Sequence, residues 1–162
     1  MDDSADTAHP LADDLDWLLN RVWLGFGEAR AKALEPLGLT VREHVLLNVL
    51  RQVDVPQLEL GALARVDKSV LTTTIDALER KGLVTRVTDA NDRRVRRPRL
   101  TPAGERVCAK ADEASARVQQ SLLEWVPIEY REQFVIVVRE LALGPFAESV
   151  LFSQTAERSQ RV

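Results

Sequence analysis

The chain holds a single cysteine, Cys108, among 162 residues, so no internal disulfide can staple it. Histidine is nearly as scarce, His9 and His44 being the two, and with one thiol beside them there is no ligand set for a structural zinc. No run approaches the ~18 apolar residues that mark a membrane span. The opening MDDSADTAHP is acidic and polar where a secretion signal is basic and then apolar. A cytoplasmic protein with no membrane partner is therefore expected. Glycine-rich phosphate loops are missing, and so is any recognisable set of nucleophile, base and orienting acid. Neither enzymatic activity nor a bound cofactor or metal is expected. There is no internal repeat and no low-complexity tract. The net charge is −3, which speaks against indiscriminate coating of nucleic acid.

What is present is 45% apolar content, enough for a real core in a chain of this length, and one concentrated block of positive charge. Residues 89–100 read DANDRRVRRPRL, with five arginines among the seven positions 93–99. From 80 to 99, eight basic residues meet two acids, a local +6 that leaves the rest of the chain at about −9. A charge run is usually just a solvated face. Arginines crowded onto one short segment repel each other, however, and their presence on an acidic protein points to an anionic partner.

Helical periodicity dominates the rest. Leu11, Leu15, Leu18, Val22, Phe26 and Ala33 form a long amphipathic repeat broken by Pro36 and Gly38. Thr40 stands as a cap before a second helix carrying Val41, Val45, Leu46, Val49 and Leu50. A short helix around Leu60, Leu63 and Ala64 stops near Val66. Asp67 then caps a helix whose buried stripe is Leu71, Ile75 and Leu78, ended by Gly82. From Leu83 the period falls to two: LVTRVT and VRRPRLT flank the turn residues DANDRR, which predicts a β-hairpin with an arginine-rich tip and Pro98 on an edge strand. Thr101 and Pro102 open a long helix through about Trp125, with Val107, Ala111, Ala114, Val118, Leu122 and Trp125 on one side. Pro127 opens the last major helix. Its FVIVV core could also be read as a strand, but charged flanks in helical phase favour helix. Gly144 and Pro145 stop it.

The expected fold class is mainly α with a small β-hairpin: a winged helix-turn-helix, the arrangement used to hold duplex DNA. The domain reading is a disordered lead at 1–10, a DNA-binding domain at 37–100, dimerisation helices at 11–36 and 101–152, and a frayed tail at 153–162. Opposite the stripe of Leu71, Ile75 and Leu78, the outer face of the fourth helix carries Ser69, Thr72, Thr73, Asp76 and Arg80. Short hydroxyl side chains with methyls suit base edges and the thymine methyl in a major groove, and three consecutive threonines are poor helix formers for a mere solvated face. Thr74 borders the core stripe and could belong to either side. Asp76 either pairs with a wing arginine or is simply exposed, and Arg97 or Arg99 could point back toward the body. The helix around Val135 to Val138 is apolar on two sides, which suits burial against a second subunit.

The segments LTVREHVLLNVL, DKSVLTTTIDALERKGLVTR and DANDRRVRRPRLTPAGE resemble the MarR family of bacterial transcription regulators over about residues 11–143. The D-x-x-D-R-R stretch from Asp89 to Arg94, followed by Leu100, Thr101 and Gly104, is the most specific part. The resemblance implies a homodimer intertwined through its terminal helices. It also implies a wing tip that enters the minor groove, with Arg94 at the tip and Asp92 orienting it; Arg93 and Arg96 follow as further contacts. The family commonly has an arginine where Thr73 stands, so more of the binding falls to the wing. Its members use a cleft between the dimerisation and DNA-binding parts for small anionic or phenolic effectors. Trp23 and His44 are the candidates to line that cleft, with a satisfied structural histidine as the alternative for His44, and packing as the alternative for Trp23. Cys108 lies away from the first-helix position of the family's redox thiols and reads as inert core. The expected function is sequence-specific binding to a double-stranded, pseudo-palindromic operator, as a repressor of adjacent genes released by an effector. The rivals are an effector-independent DNA-binding protein and a winged-helix protein-interaction module.

Overall fold

The computed structural model describes residues 9–64, 66–89, 92 and 95–144. Helix α1 (Leu15–Leu34) starts where the Asp14 carboxylate accepts from the Trp17 amide at 2.9 Å. The apolar repeat visible from Leu11 thus begins one turn ahead of the helix, because residues 10–13 are a turn stabilised by Ala12 N–H donating to the His9 carbonyl. Gly38, at φ +64°, ends the 3-10 turn that follows α1. Helix α2 (Val41–Gln52) opens on a full capping box: Thr40 Oγ1 accepts from Glu43 N–H, and Glu43 Oε2 from Thr40 N–H. Helix α3 (Gln57–Ala64) and helix α4 (Lys68–Arg80) make the helix-turn-helix. Asp67 occupies the cap position of α4, but its side chain makes no cap hydrogen bond; only its carbonyl is used, by Leu71 N–H.

Gly82, at φ +69°, turns the chain out of α4 in a left-handed conformation that costs a glycine nothing. Strands β1 (Val84–Thr88) and β2 (Arg96–Leu100) pair antiparallel, with Val84 opposite Leu100 and Thr88 opposite Arg96. Pro98 faces Arg86 across the ladder, on an edge as its missing N–H requires, and its ring is fully buried. Helix α5 (Pro102–Glu124) grows from this hairpin. Thr101 Oγ1 accepts from Gly104 N–H and donates to the Gly82 carbonyl, while Thr101 N–H donates to the Leu83 carbonyl. The approach is so close that a Cβ on Gly104 would lie 2.0 Å from that Leu83 oxygen.

Residues up to Gln119 form one compact unit and those from Gln120 a second. The first unit holds the core: Leu34, Leu46, Leu47, Leu60, Ile75 and Leu78 are buried, closed from the α5 side by Cys108 and Ala111. Of the stripe expected on α5, Ala111 and Ala114 are buried, but Trp125 is 91% exposed. The helix ends at Glu124, so Trp125 leaves the helical phase that would have kept it on that side. In the second unit Pro127 precedes a 3-10 turn, Ile128–Tyr130, and helix α6 begins only at Arg131 (Arg131–Leu143). FVIVV is therefore helix, not strand, with Phe134 to Val138 all partly solvent-facing in the single chain. The lead at 1–8 and everything from 145 on, including the predicted tail, lie outside the described residues.

Candidate nucleic-acid interface

The outward face of α4 carries Ser69, Thr73, Asp76 and Arg80, all exposed, with Thr72 half-buried at its edge. The three threonines spend their hydroxyl protons on their own helix: Thr72 donates to the Lys68 carbonyl at 2.9 Å, Thr73 to Ser69 at 2.9 Å and Thr74 to Val70 at 2.7 Å. What remains on the open face is a hydroxyl oxygen able to accept and a methyl group. That combination suits amino groups of adenine or cytosine and the thymine methyl. Thr74 is buried and belongs to the core side.

The wing is less positive than its sequence. Lys81 Nζ donates to Glu43 Oε1 at 2.6 Å and to the Gly38 carbonyl at 2.8 Å. Arg86 is held by Asp76 and Glu79, each at 2.5 Å, which resolves the role of Asp76 in favour of pairing. Arg97 Nε donates to Asp89 Oδ2 at 2.5 Å and its Nη1 to the Asp54 carbonyl at 2.8 Å; Arg99 is paired to the Asp54 carboxylate. Both therefore point back toward the body. Arg96 is exposed and donates to the Thr88 hydroxyl. Asp92 is exposed, its carbonyl accepting from Val95 N–H. Arg93 and Arg94 lie outside the described residues. The anchors Glu43 and Asp54 carry no mark in the local sequence that ties them to the basic segment. Asp54 stands 43 and 45 positions from its arginines.

His44 is buried between α2 and α5, and both ring nitrogens are engaged. Its Nε2 lies 2.8 Å from Asp112 Oδ1 and its Nδ1 3.3 Å from Ser115 Oγ. Asn48 Oδ1 accepts from Arg51, so its amide nitrogen faces Asp112 as a donor at 3.0 Å. The same amide nitrogen lies 2.9 Å from His44 Nε2, so that ring nitrogen meets a carboxylate oxygen and an amide donor together. Burial pushes the Asp112 carboxyl up, but hydrogen bonds from His44, Asn48 and Arg51 outweigh it and hold it below the usual range. Trp23 is 69% exposed on α1. A cavity of about 620 Å³ opens elsewhere, lined by Pro56, Gln57, Lys68, Thr72, Val95 and Arg96 among others, and reaches neither Trp23 nor His44. Cys108 is fully buried, and burial pushes its thiol up, away from reactivity. Among the described residues no helix is long and apolar enough to cross a membrane.

The MarR family model matches residues 39–95. Among solved structures, a MarR-family transcriptional regulator from Rhodococcus sp. RHA1 is 30% identical, with 82% of this chain and 94% of that one covered and a TM-score of 0.72. CouR from Rhodococcus jostii RHA1, solved with p-coumaroyl-CoA, is 30% identical over the same shares, at a TM-score of 0.70. A structure of the transcriptional repressor CouR on a 23-mer DNA duplex is 25% identical, again covering 82% and 94%, at a TM-score of 0.75. No curated protein matches significantly.

Proposed function

Because the chain belongs to the MarR family, whose members are transcription regulators, we propose that it is a cytoplasmic, homodimeric repressor of adjacent genes. In this reading it binds a pseudo-palindromic operator and leaves it when a small anionic or phenolic effector binds. The observation that carries it is the open face of α4, with Ser69, Thr73 and Arg80 outward, joined to a hairpin fastened to that same helix through Arg86. Such a unit presents a reading helix and a wing as one body. Base edges fall to Ser69, Thr72 and Thr73, and backbone phosphates to Arg80 and Arg96. The minor groove falls to Arg93 and Arg94, with Asp92 orienting the tip; a guanidinium suits its enhanced negative potential. The complex of CouR with p-coumaroyl-CoA makes aromatic acids and their thioesters the effector class to screen. Trp23 and His44 remain the proposed lining residues of that site, His44 through displacement of its present partners.

Footprinting on the DNA flanking the gene should show a near-palindrome with half-sites about 34 Å apart. Arg94→Ala should weaken binding by about 1–3 kcal/mol, and Thr72→Ala should shift base preference more than affinity. Protection of a lone half-site, or variants that titrate like wild type on both operator and random DNA, would overturn the assignment.

A further inference from the structure

Arg86 stands apart from the other wing arginines in what it holds. Its planar guanidinium divides its donors among three side chains on two helices: Nε to Gln57 Oε1 of α3 at 3.2 Å, Nη1 to Glu79 Oε2 and Nη2 to Asp76 Oδ1 of α4, both at 2.5 Å. Its backbone N–H also donates to Glu79 Oε1 at 3.3 Å. Gln57 then turns its amide nitrogen to the Thr72 hydroxyl at 3.4 Å. A continuous polar path thus runs from strand β1 through the start of α3 to an edge residue of the reading face.

Two features separate this group from a phosphate contact. The side chain is only 21% exposed, and two carboxylates already balance its single charge. Partial burial works against the charged form, the two acids outweigh it, and the guanidinium is held more firmly protonated than usual. The second feature is Asp76, half-exposed on the outward face of α4, where a negative charge opposes the approach of DNA. Its presence there is explained by the fork it completes, since a lysine ammonium in place of Arg86 could not serve two acids and an amide in one plane.

We infer that Arg86 is a positioning residue for DNA reading, fixing the hairpin against α4 and, through Gln57, the orientation of Thr72, without touching DNA itself. This rests on the DNA-binding reading above. The test uses the full chain and a duplex selected by the wild-type protein from a randomised library, beside an unselected duplex of equal length, each titrated across a salt series. Arg86→Ala should lose roughly tenfold or more on the selected duplex, the equivalent of about 1.4 kcal/mol, and little on the unselected one. Its slope of log affinity against log salt should stay that of wild type, and Arg86→Lys should not restore binding.

Asp76→Asn gives the sharper contrast. It removes a repulsive charge from the DNA face, so binding to the unselected duplex should tighten, while binding to the selected duplex should weaken several-fold. Equal tightening on both would make Asp76 a mere repellent and overturn the inference. So would a slope shallower by about 0.9 in Arg86→Ala, the sign of a lost phosphate contact. If Arg86→Ala does not fold, Gln57→Ala and Asp76→Asn, which remove fewer bonds, decide the matter: an unchanged preference for the selected duplex in both overturns it. A wild-type protein that enriches no sequence from the library removes the DNA-binding proposal itself, an outcome distinct from the others.

Discussion

Glu43 shows how much one side chain can be asked to do. One carboxylate oxygen closes the capping box of α2 on the Thr40 amide, and the other receives Lys81 Nζ at 2.6 Å. Burial raises this carboxyl, yet the hydrogen bonds from Lys81 and the Thr40 backbone prevail and hold it below the ordinary range. A depressed folded-state value means that its stabilisation is complete above the unfolded-state value near ~4.3 and disappears as pH falls through the lower, folded-state value. Glu43→Gln should therefore be about 1–2 kcal/mol less stable at neutral pH, with the difference from wild type closing in acid. Urea unfolding at a series of pH values measures this; a gap that persists into strong acid would assign the loss to packing. The cap itself was legible, since Thr40 and Glu43 sit three residues apart. The partnership with Lys81, 38 residues away, has no local pattern. Asp67 fits the same capping rule by type and position, but its carboxylate makes no such bond, because residue preference records only what a cap is able to do.

Among elements, the hairpin departs most from its sequence. Its place and its edge proline were readable from alternation and from Gly82, because a strand pair and its flanking breakers are local. Its charge was not. The +6 block loses much of its field to Glu43, Asp54, Asp76 and Glu79, all of which lie outside the counted segment. Asp54, on the link between α2 and α3, is the accessible control point: its carboxylate is 54% exposed and holds Arg99, while its carbonyl holds Arg97. An exposed pair contributes little to folding, so Asp54→Ala should change stability by under about 1 kcal/mol. It should nevertheless steepen the salt dependence of duplex binding by about 0.9 as the released Arg99 turns to a phosphate, while Arg97 stays held by the Asp54 carbonyl and Asp89. An unaltered slope would place Arg99 beyond the reach of DNA.

For the whole molecule, the apolar surface left open is the main fact. Leu15, Leu19, Val22 and Trp23 of α1 and Val135, Val137 and Val138 of α6 are all exposed in the single chain, more than a soluble monomer ordinarily shows. Helical periodicity made both helices legible, and the apolar run of α6 pointed to burial against a second subunit, whereas in the single chain α6 buries no residue. A homodimer is expected to bury these residues, and Val138→Asp should sediment as a monomer where wild type is a dimer, protecting at most one half-site. A wild-type chain that sediments as a monomer would remove that expectation. The junction between hairpin and α5 acquires a mechanical sense at this scale. Leu83 O receives Thr101 N–H at 3.0 Å, Thr101 Oγ1 is pinned to Gly82 O at 2.7 Å, and Gly104 lets the α5 backbone settle where a methyl would meet the same Leu83 oxygen at 2.0 Å. This bearing has little backlash. Within the first unit, the stretch of α5 from Pro102 to Gln119, about 27 Å by helical rise, is a crank whose short arm carries the root of the wing, so a tilt of that stretch should reach the hairpin as rotation rather than being lost as play.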